Sequence, residues 1–154
     1  MICRSLIEIQ KMVDGYGLNN ESNEIVIQGV SIDTRQIKPG QLFVPIIGER
    51  FNGHKFINEA VSKGIAAALW NKDEPLPDLD IPIILVDDTL KAIQKLAKAY
   101  REQLKAKVIG ITGSNGKTST KDILASLLET KYKTQKTFGN LNNHLGVPLT
   151  ILEL

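Results

Sequence analysis

Leu6, Ile9, Met12 and Val13 recur at helical spacing behind Ser5 and Glu8, a capping-box pair, and the pattern stops at Gly15 and Gly17. A short structural helix is predicted there. Ile25 and Ile27, then Val30 and Ile32, read as extended chain interrupted at Gly29, and Lys38-Pro39-Gly40 supplies turn chemistry before the apolar stretch Leu42 to Ile47. Strand, turn, strand is the simplest account. Phe56, Ile57, Ala60 and Val61 return to helical spacing up to Gly64, Ala66 to Trp70 reads as a strand, and beyond the loop Pro75 to Pro82 so does Ile83 to Val86. Residues 1–86 are thereby predicted to form a small α/β domain.

From Asp88 the pattern changes. Leu90, Ile93, Leu96, Ala97, Tyr100 and Leu104 make a sustained amphipathic helix, and Asp87 and Asp88 at its positive end are read as a helix start in preference to a metal site. The helix leads to Lys107-Val-Ile-Gly-Ile-Thr112, a buried-strand pattern that runs into Gly113-Ser114-Asn115-Gly116-Lys117-Thr118 and a second helix around Ile123, Leu124, Leu127 and Leu128. Strand, glycine loop, helix is a phosphate-binding arrangement. Tyr132 to Thr137 is predicted as the next parallel strand. The fold class is therefore α/β: a small N-terminal domain, residues 1–86, followed over residues 87–154 by the first βαβ part of a P-loop domain.

The loop chemistry requires these residue types. Gly113 and Gly116 permit positive φ and close approach to a phosphate, so that successive amide N–H groups and the positive end of the helix surround the anion. Lys117 supplies a mobile charge for the β and γ phosphates, and the Thr118 hydroxyl is placed to ligate Mg²⁺; Ser119 is a second, weaker hydroxyl candidate. The loop is a variant of the strict G-x-x-x-x-G-K-[ST] form, because position 111 is Ile.

Composition narrows the function. Nineteen basic against seventeen acidic residues leave a formal charge of +2, with no like-charge block, which argues against nucleic acid or an anionic membrane as partner. The lone Cys3 has no internal disulfide partner, the apolar run Ile81 to Val86 is far too short for a membrane span, and the N-terminus lacks a signal-like stretch, so a cytoplasmic location is expected.

Other candidates are weaker. Asn71-Lys72-Asp73-Glu74 imitates the N-K-x-D element that recognises guanine, but it ends in Glu and precedes the phosphate loop, so it is read as a charged loop. His54 and His144 lie far apart with no second cysteine and receive no proton-transfer role. Lys131, Lys133 and Lys136 are read as a solvated face. Asn140, Asn142 and Asn143 either serve turns or contact a ligand at the carboxyl end of the predicted strand, and physics alone leaves both readings open.

The run Gly110 to Thr120, GITGSNGKTST, resembles the ATP loop of the Mur ligases, ATP-dependent amide-forming enzymes that assemble the peptide of the bacterial cell-wall precursor. Asp33-Thr34-Arg35, Lys38-Pro39-Gly40-Gln41-Leu42-Phe43-Val44, Gly48 and Asn52-Gly53-His54 resemble the N-terminal domain that holds the UDP end of the substrate in that family. GNLNNHLGVPLTIL is similar to the branch that joins D-alanyl-D-alanine to UDP-N-acetylmuramoyl-tripeptide, rather than the branch that adds the third amino acid. Thr34 stands where the family often has Ser, and Asn52 where it often has Asp; neither change removes a hydrogen-bonding group.

The resemblance implies ATP and Mg²⁺ as cofactors, with Gly113 to Ser119 on the nucleotide and Asp33, Thr34 and Arg35 near the uridine diphosphate. Arg35 suits either a diphosphate or an internal pair with a carboxylate. It implies substrate or nucleotide contact for Asn140, Asn142 and Asn143 by family position. It also implies an acyl-phosphate reaction completed by groups beyond Leu154, so this chain is expected to be an inactive N-terminal portion, with apolar surface left exposed and open to self-association. A non-catalytic nucleotide or UDP-sugar module, and a related ligase acting on folate or cyanophycin, are the alternatives; the latter lack the Asp33 to His54 match.

Overall fold

The computed structural model describes residues 1–139, 141 and 143–154, so Asn140 and Asn142 lie outside the described residues. Six strands and five α-helices are described, in the order β1 (Cys3–Ser5), α1 (Leu6–Met12), β2 (Val26–Gln28), β3 (Val30–Ser31), β4 (Leu42–Phe43), α2 (Ile57–Ser62), β5 (Ala67–Asn71), β6 (Ile83–Val86), α3 (Thr89–Gln103), α4 (Lys117–Glu129) and α5 (Gly146–Leu152).

The sheet is parallel, in the order β3-β4-β5-β6, with registers such as Leu42 opposite Ala67 and Ala68 opposite Ile83. β1 and β2 form a separate antiparallel pair. Because successive side chains in a strand point to opposite faces, one alternation builds two cores. Leu42, Val44, Ala67, Leu69, Ile84 and Val86 pack beneath α1, α3 and α5, whereas Phe43, Ala68 and Trp70 pack with Ile57 and Ala60 of α2. The result is a helix–sheet–helix sandwich, which a parallel sheet requires to cover both faces.

Local chemistry sets the helix ends. The Glu8 carboxylate accepts from the Ser5 N–H and hydroxyl, each at 2.9 Å, which starts α1. At α3 the Asp88 side chain accepts from the Lys91 N–H at 3.0 Å, so the acidic pair is a helix start as expected. Lys72 pairs with Asp87 at 2.7 Å, and Asp73 donates its N–H to Asn71 Oδ1, so the Asn71–Glu74 run is a charged turn.

Three features depart from the sequence reading. α3, grouped there with the second domain, buries Ile93, Leu96, Ala97 and Tyr100 in the core under the sheet. The predicted strands Lys107–Thr112 and Tyr132–Thr137 are not strands: Val108 and Ile109 are 50% and 58% exposed. An apolar run becomes a strand only when a neighbouring strand takes its backbone groups, and among the described residues neither segment is paired with a strand. Lastly, α5, a helix the sequence reading did not predict, packs on α3 and β3 and buries Leu152. Pro148 is harmless in its first turn, where no intrahelical N–H is required. The N–H of Ile2 donates to the Leu152 carbonyl at 2.7 Å, tying α5 to the N-terminal segment.

No described helix is long and apolar enough to cross a membrane. Ile123 and Leu127 of α4 are exposed, as is Tyr132 after it.

Candidate functional site

Gly116 is the N-cap of α4 at φ +77°, a left-handed conformation that a side chain would strain, and Gly113 sits at φ +150°. A Cβ on Gly116 would meet nothing within 4 Å, so the glycine is there for its backbone and the open space above it. The first intrahelical bond runs from the Thr120 N–H to the Gly116 carbonyl at 2.9 Å. The N–H groups of Lys117, Thr118 and Ser119 precede that bond and carry the positive end of the helix dipole. No side chain among the described residues caps them. Ser114, Asn115, Thr118 and Ser119 are exposed, and the Lys117 ammonium folds back on the Gly113 carbonyl. The loop thus sets uncapped N–H donors and one lysine ammonium together at a helix N-terminus, a geometry suited to a polyphosphate.

The described residues contain no group of three or more His, Cys, Asp or Glu side chains able to hold a metal. Thr118 contributes a single exposed hydroxyl. That set fits Mg²⁺ only as an ion brought with phosphate oxygens, which is how Mg²⁺ is usually held.

The second cluster follows β3. The Asp33 carboxylate receives Arg35 Nε at 2.9 Å and Nη2 at 2.7 Å, and also accepts the Arg35 N–H at 2.9 Å. The Arg35 hydrogen bond holds the Asp33 carboxyl below the usual carboxylate range, against a smaller opposing effect of burial. Yet the Arg35 side chain is 84% exposed, so its outer face remains available while Asp33 fixes its plane. Thr34 is buried, and its carbonyl accepts from Lys63 Nζ at 2.6 Å; Lys63 in turn pairs with Glu59 at 3.1 Å. The i,i+4 spacing of Glu59 on α2 and Lys63 at its C-cap was the available signal for this support.

His54 is a structural residue of this region. Its Nδ1 lies 2.7 Å from Asn52 Oδ1, and its Nε2 accepts the Asn71 N–H at 3.2 Å, which places the ring proton on Nδ1. Asn52 Nδ2 donates to Glu74 at 2.8 Å. Burial holds the imidazole below its ordinary pKa, with the Glu74 charge opposing that shift.

Of the three amide candidates, only Asn143 is described, and it serves a turn. Its Oδ1 accepts the N–H groups of Leu145 and Gly146 at 3.1 and 2.7 Å, leading into α5. Sequence reasoning missed Lys121. Its ammonium donates to the carbonyls of Thr137 and Gly139 at 2.8 and 2.7 Å, one helical turn beyond Lys117. A lysine four residues after the loop lysine, on the same helical face, was the only sequence sign.

Comparison with known proteins places these features in one family. The model described as Mur ligase family, catalytic domain, matches residues 26–101, and the Mur ligase middle domain matches residues 111–154. The UDP-N-acetylmuramoyl-tripeptide–D-alanyl-D-alanine ligase of Bacillus subtilis is 50% identical over 154 residues, covering 100% of this chain and 34% of that protein. The Escherichia coli ligase of the same name is 40% identical over 100% of this chain and 33% of its own length. A crystal structure of MurF from Acinetobacter baumannii aligns with TM-score 0.89 at 36% identity, over 100% of this chain and 33% of that one. The Thermotoga maritima MurF structure, in complex with ADP, aligns with TM-score 0.71 at 37% identity, over 81% and 29%. The chain spans about a third of the length of the curated relatives it matches. With both family models matched in order and the sheet and glycine loop in place, the chain belongs to the Mur ligase family.

Proposed function

We propose that this chain supplies the UDP-end and phosphate-holding elements of an ATP-dependent ligase that joins D-alanyl-D-alanine to UDP-N-acetylmuramoyl-tripeptide. The observation that carries the reading is the uncapped N-terminus of α4 behind left-handed Gly116, with Lys117 in the same loop. A ligase of this kind must turn a carboxylate, a poor electrophile, into an acyl phosphate before an amine can displace phosphate. ATP supplies the phosphoryl group, and Mg²⁺ bound with it would be met by the Thr118 hydroxyl.

The chain's own task is positioning and charge neutralisation. The N–H groups of Lys117, Thr118 and Ser119 surround phosphate oxygens, and the Lys117 ammonium exchanges the Gly113 carbonyl for the outer phosphates. Arg35, its guanidinium fixed by Asp33, meets the diphosphate of the UDP moiety. The nucleotide-holding unit begins after α3, a reading supported by the packing of α3 into the N-terminal core.

Calorimetric titration of the 154-residue chain with ADP and, separately, with UDP-N-acetylmuramoyl-tripeptide tests this. Binding of both, with ADP binding lost in Lys117→Ala, is the expected result. The chain is expected to release no phosphate when ATP, Mg²⁺ and both acceptors are present. Absence of binding to either ligand overturns the reading.

A further inference from the structure

β6 is an edge strand of the parallel sheet, and an edge strand presents backbone groups to any chain that can pair with them. The Ala68 N–H donates to the Pro82 carbonyl at 3.1 Å and the Lys72 N–H to the Val86 carbonyl at 2.9 Å. Residues 82, 84 and 86 therefore turn their backbone groups to β5, and residues 83 and 85 turn theirs outward. Tyr16 covers Leu85, the two exchanging backbone bonds of 3.0 and 2.7 Å. Antiparallel continuation would set Leu18 opposite Ile83, but Gly17 turns the chain at φ +101° and the Leu18 N–H donates to Gln10 Oε1 at 3.1 Å. Among the described residues nothing takes the outward N–H and carbonyl of Ile83.

Ile83 lines a cleft of about 560 Å³ between residues 17–25 and residues 76–85. Leu18, Ile81 and Leu85 line it as half-buried apolar surface, and Ile25 and Leu76 add exposed apolar side chains. Both walls are acidic. No lysine or arginine occurs from Met12 to Thr34 or from Asp73 to Pro82, and the exposed Glu21 and Asp80 line the cleft itself. Such walls repel phosphate. The cleft also lies away from the UDP-end cluster: Ile83 begins β6, whereas Asp33 follows the end of β3, and in a parallel sheet these are opposite ends.

We propose that this cleft is a docking site for an extended peptide segment of a partner protein, one in which lysine or arginine is interspersed with aliphatic residues. The segment takes the place beside β6 that Leu18 leaves, exchanging two backbone hydrogen bonds with Ile83. Its aliphatic side chains cover the apolar lining, and its cations meet Glu21 and Asp80. The site is separate from the phosphate loop and does not rest on the proposed function.

The test titrates the 154-residue chain into a fluorescent, end-capped heptapeptide of alternating lysine and valine, read by anisotropy. Binding is expected to saturate below about 1 mM, about tenfold tighter than for the glutamate–valine counterpart, with slowed amide exchange at Ile83. Glu21→Lys combined with Asp80→Lys should weaken it about tenfold, and neither ADP nor UDP should displace the peptide. Methylating the peptide's backbone nitrogens leaves its charge intact and should also weaken binding about tenfold, which separates strand addition from attraction of charge alone. The proposal is overturned by no saturation at about 1 mM, by equal affinity for the two peptides, by indifference to the double variant or to methylation, or by displacement with UDP. Sedimentation showing that the chain pairs with itself, in a contact abolished by the same double variant, overturns it too, because a second copy is then the occupant.

Discussion

The His54 ring stands edge-on against the indole of Trp70, with centroids 4.5 Å apart and planes at 83°. This contact closes a network in which buried His54 receives the Asn71 N–H at the end of β5 and meets Asn52, the N-cap of the turn Gly53–Phe56 that carries His54 itself. Replacing His54 by Ala would leave the Asn71 N–H and one Asn52 interaction unsatisfied beside a new cavity. The expected cost is about 2 to 4 kcal/mol, read as a lower urea midpoint.

The same network predicts a pH dependence. Burial holds the folded-state pKa of His54 below its ordinary value of about 6.5, so below that pH the unfolded chain binds a proton that the folded chain refuses. Stability from this group is complete above about pH 6.5, declines as pH falls toward the folded pKa, and is level below it. Urea midpoints compared between about pH 7.5 and pH 5.5 should fall for the unaltered chain and fall less for His54→Gln. Equal slopes in the two proteins would show that other groups set the dependence.

Nucleotide affinity and stability should separate at the phosphate loop. Lys117 touches only the Gly113 carbonyl through its ammonium, so Lys117→Ala is expected to change the ligand-free melting behaviour by less than about 0.5 kcal/mol. Gly116→Ala places a Cβ at φ +77° and should cost about 1 to 2 kcal/mol of backbone strain, relieved by refolding the cap. Both variants are expected to lose ADP binding in calorimetry, the first through charge and the second through cradle shape. ADP binding retained in Gly116→Ala would show that the left-handed cap is not used.

How much of this was legible in the sequence follows from where each signal resides. The strands at Leu42, Ala67 and Ile83 could be read because their short apolar runs and the turn residues bounding them are local. The glycine loop could be read because its conformational demands fall on the residues that meet them. Lys107–Thr112 has the same apolar pattern as those strands, but pattern does not supply a hydrogen-bonding neighbour. α5 was hidden behind Pro148, which breaks a helix in its interior and not in its first turn. Beyond its i+4 spacing from Lys117, the contacts of Lys121 left no trace in the sequence, because its partners are backbone carbonyls 16 and 18 residues away and a carbonyl has no identity in a sequence. The open choice at Arg35 is resolved only in part: it does pair with Asp33, yet most of its surface stays free.

That duality gives the last prediction. If Asp33 serves to aim the Arg35 guanidinium at a diphosphate, Arg35→Ala removes the cation and should reduce UDP affinity about tenfold. Asp33→Asn keeps the cation without its aim and should reduce affinity less. Neither should much alter stability at neutral pH, because exposed ion pairs contribute little. The Asp33 carboxyl is held low by Arg35, so the stability tied to it is present above the ordinary aspartate pKa of about 3.9 and lost as pH falls through the folded value. Arg35→Ala should accordingly flatten the acid limb of the stability profile near that pH. An internal structural pair would behave otherwise: both variants would lower the neutral-pH melting temperature equally, and UDP affinity would stay unchanged.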